Sequence, residues 1–181
     1  MNFIKNRVEA VRLMLRFIRN KSRLKHPISI IGQECVSVGK GVYIKANARI
    51  ECYKEYSPKV IIGDNVIIMY SFTCLAADTV SIGDNTILAS NVSIIAENHG
   101  QDPTIGCYYT QPLQHDMVKI GSGCWIGQNV TILPGVELGD NVIVGANSLV
   151  NKSFGSNVII GGIPARVIKI YDFEKKEWKK V

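Results

Sequence analysis

Between residues 36 and 150 an aliphatic side chain returns at most of the sixth positions, with one slip and one long break. From residue 120 the register is unbroken: Ile120, Ile126, Ile132, Leu138, Val144 and Val150. In the first half it runs Val38, Ile44, Ile50, Tyr56, Ile62, Ile68 and Cys74, and after a two-residue slip Ile82, Leu88 and Ile94. Two positions earlier stands a second small or β-branched residue, as at Val42, Ala48, Val66, Thr86, Val92, Cys124, Val130, Val142 and Ser148. Gly-Asp-Asn recurs at 63–65, 83–85 and 139–141. A period of six fits neither an amphipathic helix nor a plain alternating strand. It fits a short strand along a flat face followed by a corner. The aliphatic points inward, and Gly, Asp and Asn accept the tight or left-handed backbone of the corner. Three hexads close one triangular coil, and stacked coils make a quasi-one-dimensional solenoid. A β-sandwich turns about every 8–12 residues and does not produce this strict register.

The rest of the composition agrees. The aliphatics are 25 Ile and 18 Val against 9 Leu, which favours strands. The 181 residues suit one domain, and the 46% hydrophobic content argues against extended disorder. Five scattered cysteines (35, 52, 74, 107 and 124), with no C-x-x-C, suggest neither a disulfide framework nor structural zinc. With no secretion signal and no membrane-spanning run, reduced thiols in a cytoplasm are expected. The net charge of +6 is unevenly spread. Residues 1–25 carry +7, residues 26–165 carry −4 and residues 166–181 carry +3. The acidic body argues against a nucleic-acid partner.

The basic front end predicts a helix over 1–25. Ile4, Val8, Val11, Leu15 and Ile18 form an apolar stripe, with Arg7, Arg12, Arg16 and Arg19 off it. Such a stripe docks on the protein's own body, on a neighbouring subunit, or on an anionic membrane face, where residues 1–20 would make a peripheral contact. His26-Pro27 is expected to end the helix.

Two segments are more specific than the repeat. Gly123-Cys-Trp-Ile-Gly-Gln-Asn-Val-Thr-Ile-Leu-Pro-Gly-Val136 and Gly161-Gly-Ile-Pro-Ala-Arg-Val-Ile168 resemble the hexapeptide-repeat acyltransferases, in particular their sugar O-acetyltransferase branch, which includes the acetyltransferases of surface-polysaccharide biosynthesis. The resemblance covers residues 28–170. It implies a mainly β fold, a left-handed parallel β-helix, with the N-terminal amphipathic α-helix before it. It also implies a homotrimer with active sites between subunits. The hand comes from the resemblance, since the general rule for parallel crossovers would give the right-handed form. Three segments are expected: 1–25, the repeat over 28–165 with an inserted loop at 96–117, and a basic tail over 166–181.

The loop is where chemistry is expected. From Ile94 to Ile120 the hexads fail, and the loop carries two His, two Tyr and two Pro. Long loops in compact folds are commonly functional. The resemblance makes His99, in Asn98-His99-Gly100, the general base that takes a proton from an acceptor hydroxyl; an imidazole titrates near neutral pH. Relatives in this branch often have Asp-His-Asn-His-Gly here, so Glu97 replaces a histidine. Glu97 orients His99, contacts the acceptor or is solvated, and Asp78 and Asp102 are rival partners for the imidazole. His115 is expected to be structural or solvated, with acceptor contact as the alternative.

The resemblance implies acetyl-CoA as co-substrate and no metal. The Gln128 N–H would hold the oxyanion, and Trp125 would pack near the thioester. Gly127, Gly145, Ala146 and Gly161 would let pantetheine approach the backbone, and Pro164 and Arg166 would lie near the nucleotide. Tyr70, Ser71 and Asn98 are candidate acceptor contacts. Expected acceptors are a sugar or oligosaccharide hydroxyl, with an antibiotic or amino-sugar amine as alternatives. A non-catalytic solenoid would leave Asn-His-Gly together with Trp-Ile-Gly unexplained. A γ-carbonic-anhydrase-like zinc site is disfavoured, because the three histidines, 26, 99 and 115, lack a close pair. A bacterial cytoplasm, at the inner membrane face if the helix binds lipid, is the expected location.

Overall fold

The computed structural model describes the backbone of residues 2–181 and the side chains from residue 11 onward. Each hexad becomes a short strand and a corner, and the strands lie on three faces. The first face stacks Arg23–Leu24, Tyr43–Ile44, Ile67–Ile68, Ile87–Leu88, Trp125–Ile126, Ile143–Val144 and Val158–Gly162 in parallel. The second stacks Ser29–Ile31, Arg49–Cys52, Thr73–Ala76, Ser93–Ala96, Thr131–Ile132 and Leu149–Val150. The third stacks Val36–Val38, Val60–Ile62, Val80–Ile82, Val118–Ile120 and Glu137–Leu138.

Registration between coils makes the core. On the first face Ile44, Ile68, Leu88, Ile126, Val144 and Ile160 sit directly above one another. On the second, Ile50, Cys74, Ile94, Ile132 and Val150 do the same. All of these are buried, so each inward side chain loses its water to the equivalent residue one coil away. The expected inward positions are buried with one exception. Tyr56 is only half-buried, in a short 3-10 turn (Lys54–Tyr56). This coil turns its corner on buried Cys52 and Pro58 instead, which releases Tyr56 from the interior. The two-residue slip after Cys74 is also a lengthened corner, filled by buried Ala76 and Ala77.

The Gly-Asp-Asn corners have separate tasks. Asp64 Oδ1 accepts the Lys40 N–H at 2.7 Å, and Asp84 Oδ1 accepts the Asp64 N–H at 2.7 Å. Asn65, Asn85 and Asn141 take the left-handed backbone, with φ of 55–56°. A second asparagine column stands at the corner between the first two faces. Asn91 Nδ2 donates to Asn129 Oδ1 at 3.0 Å, and Asn129 Nδ2 to Asn147 Oδ1 at 2.9 Å.

The helix differs from expectation in length and in the face it docks. It spans Asn2–Arg19 and stops well before His26-Pro27. The chain must leave the helical path there because it starts the first face: Arg23 N–H donates to Val42 O and Lys25 N–H to Ile44 O. Leu13 and Phe17, at 4% and 3% exposure, pack on the first coil, and Arg16 Nη1 donates to Val36 O at 3.0 Å. Of the expected stripe, Val11, Leu15 and Ile18 are 58%, 58% and 70% exposed. The side chains of Ile4, Val8 and Arg7 lie outside the described residues. At the other end Ala165–Asp172 and Glu177–Lys180 extend the first face antiparallel.

The asparagine column predicts an order of stabilities. Asn129 sits at φ 58°. Asn129→Gly keeps the backbone but loses the ladder, at about 1 kcal/mol. Asn129→Val loses both, at about 2–3 kcal/mol. Thermal midpoints should fall from wild type through Gly to Val.

Candidate active site

The loop leaves the second face after Ala96 and rejoins the third at Val118, and a short antiparallel bridge closes its base. Asn98 N–H donates to Gln114 O at 2.6 Å, and Gln114 N–H returns to Asn98 O at 2.9 Å. Buried Gln111 organises the interior. Its Oε1 accepts the Asp102 N–H, and its Nε2 donates to the carbonyls of Asp102 and Ile105. Gly100 lies against it; a Cβ there would come within 2.6 Å of the Gln111 Cβ. Asn-His-Gly therefore ends in glycine for a packing reason. The result is an exposed His99 beside the ring of Tyr109, with centroids 6.2 Å apart.

The rival carboxylates are engaged elsewhere. Asp102 Oδ1 accepts the Thr104 N–H and hydroxyl at 2.8 and 2.6 Å. Asp78 Oδ2 lies 2.9 Å from His115 Nδ1, and Asp78 Oδ1 accepts the Thr79 N–H at 2.6 Å. Those bonds, His115 first, hold the Asp78 carboxyl below the usual range. The His115 ring meets Tyr56 edge-on at 5.1 Å, and the Tyr56 hydroxyl accepts the Leu113 N–H at 3.1 Å. Tyr56, Asp78 and His115 thus pin the returning limb of the loop to the coils. Glu97 lies close enough to Tyr53 to raise its phenol pKa, second to burial.

The other expected residues lie along a different edge. At the corner between the first and second faces, Gly127 N–H donates to Val144 O and Gly145 N–H to Ile160 O. Gly127, Gly145 and Gly161 therefore form a column parallel to the solenoid axis. Ala146 stands beside it, and Asn147 N–H donates to Gln128 O at 2.8 Å. Tyr70 and Gln128 occupy equivalent corners, and Ser71 takes the same left-handed backbone at φ 58°. Trp125 projects outward between Ile87 and Ile143 at 56% exposure. Among the described residues no acceptor in the chain takes the Gln128 N–H. Pro164 lies in the turn past Gly162, and Arg166 in the strand that follows, paired with Gly161, where its Nη1 donates to Ala165 O.

Two groups result. Trp125, Gly127, Gln128, Gly145, Ala146, Gly161, Tyr70 and Ser71 follow one edge of the second face. Glu97, Asn98 and His99 lie at the opposite edge. The face between them is crossed by the segment from Asn91 to Glu97, on the order of 20 Å of extended chain. One chain does not bring the two groups together.

Residues 117–152 match the family description "bacterial transferase hexapeptide (six repeats)". The chain is 33% identical to the putative lipopolysaccharide biosynthesis O-acetyl transferase WbbJ of Escherichia coli (strain K12), over 96% of this chain and 91% of that protein. The chain belongs to the hexapeptide-repeat acyltransferase family. Acyl transfer from acetyl-CoA is its chemistry. Two solved structures share the fold. A maltose O-acetyltransferase from Clostridium difficile 630 has a TM-score of 0.67 and 36% identity, covering 77% of this chain and 72% of that one. A galactoside acetyltransferase in complex with coenzyme A has a TM-score of 0.70 and 26% identity, covering 96% and 88%.

Among the described residues no three His, Cys, Asp or Glu side chains could hold a metal ion, and no helix is long and apolar enough to cross a membrane. Burial pushes the Cys52 thiol up to about 12, and those of Cys74 and Cys124 upward. The sequence pattern missed Gln111 and the Tyr56–His115–Asp78 pin. Tyr56 sat in the hexad register, and Gln111 belongs to no motif.

The pin predicts an acid-sensitive loop. A carboxyl with a depressed folded pKa contributes stability above its unfolded value, near 3.9, and loses it as pH falls through the folded value. Asp78→Ala should lower the thermal midpoint at neutral pH, and the gap from wild type should close as both are titrated below about pH 4.

Proposed function

We propose that this acetyltransferase moves the acetyl group of acetyl-CoA onto a hydroxyl of a sugar or polysaccharide precursor, in sites formed between the subunits of a homotrimer. His99 takes the proton of the acceptor hydroxyl. The oxygen attacks the thioester carbonyl, and the Gln128 N–H receives the developing oxyanion. Collapse breaks the C–S bond, and the thiolate of CoA takes the proton back from His99. Transfer is direct, in keeping with the buried, weakly acidic thiols of Cys52, Cys74 and Cys124.

Donor and acceptor take different edges. Gly145, Ala146 and Gly161 form a trench for the pantetheine arm, buried Gly127 lets the next coil close in beneath it, and Trp125 flanks the thioester end. Arg166 meets the CoA phosphates beyond Pro164, where a guanidinium offers paired donors. Asn98 and Glu97 face the acceptor beside His99. Tyr70 and Ser71 reach it from the donor edge. The enzyme is placed in a bacterial cytoplasm, at the inner face of the membrane. One observation carries this proposal: His99 and the donor trench occupy opposite edges of one face, so a complete site needs His99 from one subunit and the trench from the next.

Mixed trimers test it. His99→Ala alone should lower kcat by about 100-fold or more. Ala146→Trp should block the trench while leaving the core intact, since Ala146 is exposed. Co-expressed in equal amounts, the two inactive variants should recover roughly a quarter of wild-type activity, the fraction of shared sites with both edges intact. Thiol release from acetyl-CoA, screened over nucleotide sugars and oligosaccharides, reads the result. Full activity of His99→Ala would remove it as base, and absence of recovery would place both edges in one subunit.

A further inference from the structure

We propose that the N-terminal helix and the first coil together form a seat for an anionic lipid bilayer. The helix has two apolar faces, and only one is consumed by docking. Leu13 and Phe17 are buried against the body, whereas Val11, Met14, Leu15 and Ile18 are each more than half exposed. Two residues of the first coil, Ile28 and Ile31, are also more than half exposed. The surfaces meet, because Met14 of the helix and Ile28 of the coil line one cleft with Leu24 and Pro27. The apolar patch therefore spans two elements held rigidly together.

Charge decides what covers it. Residues 11–31 contain six basic side chains and no acidic one. Leu15 lies in a hollow with Arg12, Arg16 and Arg19. Lys21, Arg23 and Lys25 follow along the exposed chain just beyond the helix. The nearby acid Glu34 is paired with Lys54 at 2.5 Å. A second copy of this surface would meet it with like charge. A layer of anionic headgroups over acyl chains complements both its sign and its apolarity. The seat lies on the first coil, so the solenoid axis rises from the bilayer with the remaining coils further out. This contact does not depend on which acceptor the enzyme uses.

The test is co-sedimentation of the full chain with vesicles containing phosphatidylglycerol, against vesicles of phosphatidylcholine alone. The wild type should bind the former and be released by salt. Leu15→Asp with Ile18→Asp should weaken partitioning by about 10-fold or more. Lys21→Ser with Arg23→Ser should weaken it by roughly 30-fold, at about fivefold per basic residue. Oligomeric mass by light scattering and thermal midpoint should not change in either variant. No binding by the wild type, or unchanged binding by both variants, would overturn the proposal. So would a change in oligomeric mass on Leu15→Asp with Ile18→Asp in the absence of lipid, which would assign the face to a second copy of the chain.

Discussion

Everything in this protein rests on one repeated contact, an inward aliphatic side chain resting on its equivalent one coil away. Because Ile68, Leu88, Ile126 and Val144 lie in strict register, no coil can shift along the axis without exposing all three of its inward columns. The coil can lengthen only where side chains leave the interior, at the corners. That is where the extra residues near Ala76 and Ala77 are found, and where the long loop departs. The Asp column reinforces the constraint by accepting backbone N–H groups at its corner, and the Asn columns by side-chain amide bonds from coil to coil.

The same regularity explains why the two groups of candidate residues divide between two edges. A flat stacked face has no concavity, and its outward side chains alternate with inward ones that cannot be spared. The glycine column of Gly127, Gly145 and Gly161 stands at one such corner, and exposed His99 lies where the hexads fail. One corner opens each face and another closes it, so a single chain sets them apart by the length of a strand. In the proposed trimer, packing of one triangular prism against another would remove that separation without altering either.

The hexads made the fold legible in detail, because inward burial every sixth residue admits few other arrangements. The exceptions are instructive. Tyr56 kept the period while its coil turned its corner on Cys52 and Pro58, which no spacing rule reveals. In the helix, Leu13 and Phe17 are four apart, and Val11, Leu15 and Ile18 are spaced equally well. Helical periodicity alone could not choose between these faces; the shape of the first coil and the Val36 carbonyl awaiting Arg16 did. The loop was recognisable as a loop, and its Asn-His-Gly as a motif. Its internal order depends on the amide of Gln111 and on the pairing of Asp78 with His115 across 37 positions of sequence, contacts that only the closed chain creates.

The bridge between Asn98 and Gln114 carries a consequence for variation. The loop enters and leaves the solenoid within one coil, and Ser93–Ala96 and Val118–Ile120 keep their partners above and below it. Whatever lies between the bridge residues is a cassette. It can lengthen, shrink or change its contacts while the inward columns of the solenoid stay intact. Variation in the loop is thereby uncoupled from the packing of the coils.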